Sequence, residues 1–373
     1  MMKVVFVSNY FNHHQSAFCR KMDLLTEHGF TFLETEPMDE ERLQLGWQQT
    51  DTPAYVLCWD EDPEASAKMV MEADALIIGG SDDNYVKPRL NAGKLTFRME
   101  ETIFKDGWGK LLNPHTWNML WKCHYIYRNK PVYMLCASAN LPAELRKLHL
   151  YKDRMFRWGY FPETKEYNFD ALLAEKSYHP MEIVWCARFI DWKHPEEMVE
   201  LAKMCRKQNI PAHITMIGDG VMFEEVKAQI ATESLGDMIT LTGALHASSV
   251  RSFMEKASVF VATSGREEGW GAVLNEAMNS GCICFAKNQM GATGFLIDNG
   301  INGWVYDNIR EMPDKLQHLC EENRKDIREA AYTCILEKWN GEKAAERFFS
   351  LIEDILNKGN LKAFLDGPCS RVV

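Results

Sequence analysis

The chain repeats one pattern almost from end to end: a short apolar run, a turn, then a longer segment with apolar residues at helical spacing. In residues 1–150 the runs are "KVVFVS", "FTFLET", "AYVLCW", "ALIIGG", "KLTFRM" and "PVYMLC", and the segments around Gln15–Glu27, Ala65–Ala73, Thr116–Arg128 and Leu141–His149 read as helices. Strands that alternate with helices predict βαβ units and a parallel, doubly wound sheet. The polar stretch "ETKEYNFDALLAEKSYHP" interrupts the pattern, which then restarts. "MEIVWCARF", "AHITMIGDG", "MITLTGA", "SVFVATS" and "GCICFAK" read as strands, and "PEEMVELAKMCRKQ", "MFEEVKAQIATES", "SSVRSFMEKA" and "GWGAVLNEAMNSG" as the helices between them. The expectation is an α/β protein with residues 1–165 as a first Rossmann-like domain, 166–180 as a linker and 181–345 as a second Rossmann-like domain. Residues 346–373 follow as a helix and tail, with a crossing back to the first domain left open. Two such domains in tandem predict a cleft, with ligands beyond the carboxyl ends of the strands.

Composition narrows the function classes. The chain has 373 residues, 46% hydrophobic and 25% charged, as an ordinary globular protein does. No apolar run approaches the roughly 18 residues of a membrane span, and "MMKVVFVSNYF" reads as a first buried strand rather than a signal peptide; the expected location is the cytoplasm. The eleven cysteines are odd in number and contain no C-x-x-C, so neither disulfides nor a zinc site is expected. Net charge is −11. Residues 1–165 carry 20 Lys and Arg against 22 acids, and the remainder 22 against 31. A nucleic-acid binder would need a basic face, so none is expected as a partner.

Three loops of the second half hold residues suited to chemistry. In "SGREEGWGAVLNEAMNSG" Glu268 lies just after a strand and Glu276 eight residues on, with the helix predicted to start near Gly269–Gly271. Free amides around Trp270, Gly271, Ala272 and Val273 make an anion site there, which the glycines let a ligand approach. The bland reading is a helix-start acid complementing the dipole and a solvated helix face. In "CARFIDWKHPEE" Arg188 and Lys193 follow a strand and suit a diphosphate, one as a fork and one as a point charge; a solvent-facing loop is the alternative. "MIGDGVMFEE" offers Gly218 and Gly220, a weak signal that a plain tight turn explains equally.

Taken together these loops resemble the donor-binding domain of retaining nucleotide-sugar glycosyltransferases of the GT-B fold, the glycosyl transferases group 1. The family's Glu-x7-Glu element around E-G-aromatic-G matches Glu268–Glu276, its Arg and Lys match Arg188 and Lys193, and its G-x-G matches Gly218–Gly220. "NGINGWVYD" and "KWNGEKAAERF" resemble its later N-G and W-x-x-x-x-A-A elements. Where many relatives have G-G-x-P-E this chain has "MGATGFLI", with Gly294 and Phe295 at the Pro and Glu positions, as in bacterial capsule and exopolysaccharide transferases.

By that resemblance, Arg188, Lys193 and Glu268 carry catalysis: the cations neutralise the donor diphosphate and Glu268 holds hydroxyls of the transferred sugar. Glu276 holds the ribose, the amides of 270–273 meet sugar and phosphate, and the backbone at Leu245 flanks the base. Transfer is expected to be front-face and retaining, of a hexosyl or N-acetylhexosaminyl group. A nucleoside-diphosphate sugar, with UDP favoured, is the co-substrate; no obligatory metal or other cofactor is expected. The acceptor is a carbohydrate or a lipid-linked saccharide of bacterial polysaccharide synthesis, with peripheral contact to the inner membrane face left open. A nucleotide-sugar epimerase of the same fold and a non-catalytic nucleotide-sugar binder are the alternatives.

The first domain is less legible. "VSNYFNHHQSAF" lacks the glycines of a nicotinamide site and places Asn12, His13 and His14 at a strand's end, as ligand contacts or as a helix cap with a surface histidine. "TFRMEETIF" ends a strand in Glu100 and Glu101; relatives of this subgroup carry an acid near here, most like Glu101, so the resemblance makes Glu101 a candidate acceptor-binding residue or base, with a solvated Glu100–Glu101 pair as the alternative. "HTWNMLWKCHYIYRN" carries aromatics on several faces, for a lipid-linked acceptor or for the core.

Overall fold

The structure, a computed structural model, describes residues 1–44, 52–321, 324–358, 361–362 and 364–372. The chain forms two compact units, residues 1–163 with 338–373, and residues 164–337.

The first unit is built on a seven-stranded sheet: β1 (Val4–Ser8), β2 (Phe30–Glu34), β3 (Val56–Cys58), β4 (Ala75–Ile78), β5 (Thr96–Glu100), β6 (Val132–Cys136) and β7 (Met155–Arg157). Its order is β3-β2-β1-β4-β5-β6-β7, and every pair is parallel. Every side chain of β4 is buried, as expected of a strand covered on both faces. The helices between strands are α1 (His13–Leu25), α2 (Glu40–Gln44), α3 (Pro63–Glu72), α4 (Lys87–Asn91), α5 (Pro114–Cys123) and α6 (Leu141–Lys147). One face holds a core that includes Val5, Leu76, Leu90, Leu120 and Leu141.

The second unit repeats the plan with six parallel strands: β8 (Met181–Cys186), β9 (Ala212–Ile217), β10 (Ile239–Leu241), β11 (Val259–Ala262), β12 (Ile283–Lys287) and β13 (Trp304–Tyr306), in the order β10-β9-β8-β11-β12-β13. Its helices are α7 (Phe169–Ala174), α8 (Glu196–Lys207), α9 (Phe223–Thr232), α10 (Ala247–Lys256), α11 (Val273–Asn279), α12 (Thr293–Leu296), α13 (Met312–Glu321) and α14 (Lys325–Thr333). Two features of this unit bear on the sequence reading. The stretch read as a linker contains α7. It is bound into the unit: the buried Lys176 ammonium donates to the carbonyls of Met254, Glu255 and Ala257 at 3.2, 3.1 and 2.7 Å, closing the end of α10. The short edge strands β7 and β13 are absent from the sequence reading.

The chain then returns to the first unit through α15 (Gly341–Leu356). Ala344, Ala345, Phe348, Leu351 and Ile352 recur at helical spacing and are buried. Phe348 packs between Phe18 of α1 and Phe97 of β5, at 6.0 and 4.8 Å between ring centroids. Gly341 sits against α1 so closely that a Cβ there would lie 2.6 Å from the Phe18 amide nitrogen. The tail finishes beside β7: the Arg157 amide donates to Ser370 and the Cys369 amide to Arg157, both at 2.8 Å, so backbone that β7 leaves unpaired is covered. Among the described residues no helix is long and apolar enough to cross a membrane.

Candidate functional site

In the second unit the strand order reverses between β8 and β11, which are hydrogen-bonded neighbours. Connections leave such a pair in opposite directions and open a crevice at the carboxyl ends, where ligands of doubly wound sheets bind. Arg188 and Lys193 follow β8, and Glu268 follows β11. The topology therefore brings together two segments that lie about 80 residues apart in sequence.

Main-chain bonds lock the loops at this edge. The Ala187 amide donates to Ile217 at 3.1 Å, Phe189 to Asp219 at 2.9 Å and Met222 to Phe189 at 2.9 Å. Gly218 and Gly220 have φ of +138° and +150°. A Cβ on Gly218 would lie 1.9 Å from the Ala187 carbonyl oxygen, and one on Gly220 2.5 Å from that of Phe189. The two glycines thus let the turn after β9 press against the loop that carries Arg188. Across the crevice the Gly265 amide donates to Trp192 at 2.9 Å. Thr263 Oγ1 donates to the Lys193 carbonyl and accepts from Trp185 Nε1, the latter at 2.7 Å.

This scaffold holds an ion pair between Lys193 Nζ and Glu268 Oε2, whose side chains are 14% and 19% exposed. The sequence reading gives these groups different partners, the diphosphate and the sugar; the fold pairs them with each other. Arg188 is exposed, its guanidinium carbon 5.9 Å from the centroid of the Trp192 ring. Glu276 is half-buried on α11. Its position is marked by Cys186, the last residue of β8, which the sequence reading did not single out. Burial pushes the Cys186 thiol up to about 12, with the Glu276 charge adding to the rise and Lys193 opposing it. Both charges are thus near enough to the end of β8 to act on this thiol. Cys186 gave no distinct signal, because a strand-terminal cysteine in an apolar run looks like core.

One expectation is corrected. The helix starts at Val273, not near Gly269–Gly271, and Ala272 is its cap residue. Gly271 has a φ of +92°, outside the helical region, and a Cβ there would meet Met290 Sδ at 2.8 Å. Trp270 is buried, and its indole nitrogen donates to Asn275 Oδ1 at 2.9 Å. The segment runs against the loop after β12, with the Gly291 amide donating to Glu268 and that of Ala292 to Trp270 at 3.2 and 3.0 Å. The first regular bonds reach Gly271 and Ala272 from the Leu274 and Glu276 amides, so the amides of Ala272 and Val273 head the helix without intrahelical acceptors. Gly269 is buried. Leu245 is half-buried in the loop after β10, beyond Gly243, whose carbonyl accepts from the Gly218 amide at 3.0 Å.

The remaining motif residues hold the fold. Asn302 accepts from the Asp298 amide at 2.7 Å and donates to the Leu296 carbonyl at 2.9 Å. Trp339, Ala344 and Ala345 are buried in the first unit. At the departure, Gly294 is exposed and Phe295 half-buried on α12.

The first unit gathers its own candidates at the strand ends. Asn12 is buried and caps α1, accepting from the His14 amide at 2.9 Å. The His13 and His14 Nε2 atoms lie 2.9 Å apart, and burial with the neighbouring His13 holds His14 well below the usual histidine range. The His14 ring lies 6.3 Å from that of Tyr160, whose hydroxyl donates to Glu101 Oε1 at 3.0 Å, while Lys105 Nζ holds Oε2 at 2.6 Å. Burial first, and then Glu101, push the Tyr160 phenol well up. Glu101 is thus a braced carboxylate rather than half of a solvated pair. Tyr160 escaped the sequence reading because β7, the strand before it, did.

Residues 175–333 match the family model described as glycosyl transferases group 1, a stretch that lies within the second unit. A stretch of 159 residues is 26% identical to the amylovoran biosynthesis glycosyltransferase AmsK of Erwinia amylovora, covering 41% of this chain and 38% of that protein. The chain thus matches well under half the length of this relative. Among solved structures, HepE of Anabaena in complex with UDP superposes with a TM-score of 0.68 at 12% identity, over 96% of this chain and 100% of that one. TarM of S. aureus superposes with the same score at 11% identity, over 94% and 99%. At such identities the likeness is one of fold: two Rossmann-like sheets with helices, as in GT-B glycosyltransferases.

Proposed function

We propose that the chain is a retaining GT-B glycosyltransferase that moves a hexosyl or N-acetylhexosaminyl group from a nucleoside-diphosphate sugar to a carbohydrate or lipid-linked acceptor in polysaccharide synthesis. The observation that carries the reading is the Lys193–Glu268 pair at the switch point of a group 1 domain. A cation and a carboxylate held side by side match the two ends of a sugar diphosphate. The AmsK likeness supports polysaccharide synthesis, and the UDP in the HepE structure supports a UDP-sugar donor.

Glycosyl transfer builds an oxocarbenium-like sugar and an anionic leaving group, so catalysis is chiefly electrostatic. Lys193 and Arg188 face the diphosphate and stabilise it as the glycosidic bond breaks; the amides heading α11 assist. Glu268 orients the sugar through its hydroxyls, Glu276 takes the ribose, and the backbone at Leu245 lies by the base. Transfer is front-face, and the leaving phosphate accepts the acceptor proton. Glu101, braced by Tyr160 and Lys105, serves the acceptor.

The test is transfer with purified protein, UDP-sugars and an acceptor panel. Lys193→Ala and Glu268→Ala should each lower kcat/KM by about a hundredfold or more with the circular dichroism spectrum unchanged. Full activity in either variant defeats the assignment. Conversion of the nucleotide sugar to its epimer without acceptor would establish the epimerase reading instead, and tight UDP binding with no turnover or donor hydrolysis the non-catalytic one.

A further inference from the structure

Trp185 on β8 and Thr263, just past β11, share one face of the sheet. The two strands are in register, with Val259 opposite Ile183 and Phe260 opposite Val184, and Trp185, Ile183, Val259 and Val261 belong to one core. Thr263 follows Val261 by two residues, which keeps its side chain on that face. Both Trp185 and Thr263 are 1% exposed. A buried indole N–H needs an acceptor, and Trp185 Nε1 finds it in Thr263 Oγ1 at 2.7 Å. The indole is itself fixed, in a T-shaped contact with Phe189 at 4.9 Å between ring centroids. A hydroxyl has a single proton to give. With the indole taking one lone pair, that proton goes to the Lys193 carbonyl.

The backbone held in this way has little support of its own. Lys193 ends a single turn of 3₁₀ helix, Asp191–Lys193, and His194 leaves it in a left-handed conformation with φ of +48°. The Lys193 and His194 amides bond back to Ile190 and Asp191 at 3.0 Å, but so short a turn offers its last carbonyls no partner. The loop after β11 supplies both: the Gly265 amide donates to the Trp192 carbonyl at 2.9 Å, and the Thr263 hydroxyl to that of Lys193. Five residues on, the same loop carries Glu268, whose amide donates to the Gly265 carbonyl at 3.2 Å. The backbone beneath the ammonium is therefore tied to the backbone beneath the carboxylate, so more than their own attraction places the two charges.

We propose that Thr263 is a positioning residue for Lys193, an inference that rests on the transferase reading: its hydroxyl, oriented by Trp185, sets the reach of the ammonium to the donor diphosphate. Negative charge on the diphosphate grows as the glycosidic bond breaks, so a displaced cation lowers kcat more than it raises the donor KM. Thr263→Val keeps nearly the same shape and removes the hydroxyl. Its kcat should fall roughly tenfold or more, with the donor KM changed by less than about threefold. Thr263→Ser keeps the hydroxyl and should recover most of the rate. A residue serving stability alone would lower the melting temperature in both variants and leave the kcat of the folded enzyme unchanged. Hydrogen exchange gives a readout that needs no turnover: the amides of residues 190–194 should exchange faster in Thr263→Val and at the wild-type rate in Thr263→Ser. Wild-type kcat or wild-type exchange in folded Thr263→Val overturns the proposal, as does a serine variant as impaired as the valine one. A wild-type protein that transfers no sugar defeats the transferase reading instead, and the exchange rates then still decide whether Thr263 holds the Lys193 turn.

Discussion

Lys193 Nζ is ion-paired with Glu268 although the two side chains come from loops after different strands. Their pairing has a consequence for ligand affinity: in the proposed site, Glu268 competes with a diphosphate for the same cation. Two unit charges about 4 Å apart interact by about 1 kcal/mol in bulk water and by about 4 kcal/mol near a protein surface, so removing the carboxylate's charge frees the cation by severalfold or more in affinity. Glu268→Gln should therefore bind UDP about as tightly as the wild type or severalfold more tightly while transfer collapses. Titration calorimetry with UDP checks this, and a large loss of UDP affinity would show that the carboxylate supports the nucleotide itself.

The turn at Gly218 should tolerate no side chain. Its φ of +138° and the Ala187 carbonyl 1.9 Å from a would-be Cβ act together. Gly218→Ala should cost about 2–5 kcal/mol, from strain and overpacking, and should weaken UDP binding through the displaced Arg188 loop. Urea unfolding and nucleotide titration on the same preparation measure both effects.

Stability should fall as pH drops below the ordinary histidine value. Burial, helped by His13, holds His14 well below 6.5, and burial lowers His124 as well, against Glu100. Between the depressed folded values and 6.5, the unfolded chain binds more protons than the folded one, so unfolding free energy rises with pH across that window. Above 6.5 the contribution is complete and flat. His14→Gln should reduce the slope, which urea midpoints collected between about pH 5 and pH 7.5 would show; an unchanged slope would exclude His14.

Tyr160 should matter to the acceptor and not to the donor. Its hydroxyl fixes Glu101 Oε1 at 3.0 Å, and a neutral donor to a carboxylate contributes about 1.5–3 kcal/mol. In Tyr160→Phe the acceptor KM should rise or kcat fall, by roughly tenfold or more, with the donor KM unchanged. Steady-state kinetics with each substrate varied in turn separates the two.

How far the sequence reaches depends on what each element needs. Strands buried on both faces, such as Ala75–Ile78 and Val259–Ala262, announce themselves by continuous apolar runs. Strands β7 and β13 have three residues each at sheet edges. The edge strands β3 and β10 also have three residues each but sit in longer apolar runs, whereas "MFR" of β7 ends on Arg157 and "WVY" of β13 is boxed between Gly303 and Asp307, so neither showed as a run, and with β7 went Tyr160. The loops carrying Arg188, Lys193 and Glu268 were legible through charge, glycine and position after strands. That Lys193 and Glu268 meet was not, because only the strand order makes β8 and β11 neighbours. The start of α11 was misplaced because glycine permits both a helical start and a left-handed bend, and packing against Met290 selects the bend.

The return of residues 338–373 to the first unit imposes an order on the birth of the protein. A ribosome releases α1 early, yet the partner of its apolar face, α15, emerges only after the whole second unit has been made. Until then Phe18 lacks Phe348 and β7 lacks the tail that covers its edge. The second unit is continuous from 164 to 337 and has every residue it needs beforehand. The half translated first is thus the half completed last, and an N-terminal fragment ending at the first boundary would be a nascent chain held permanently at that unfinished stage.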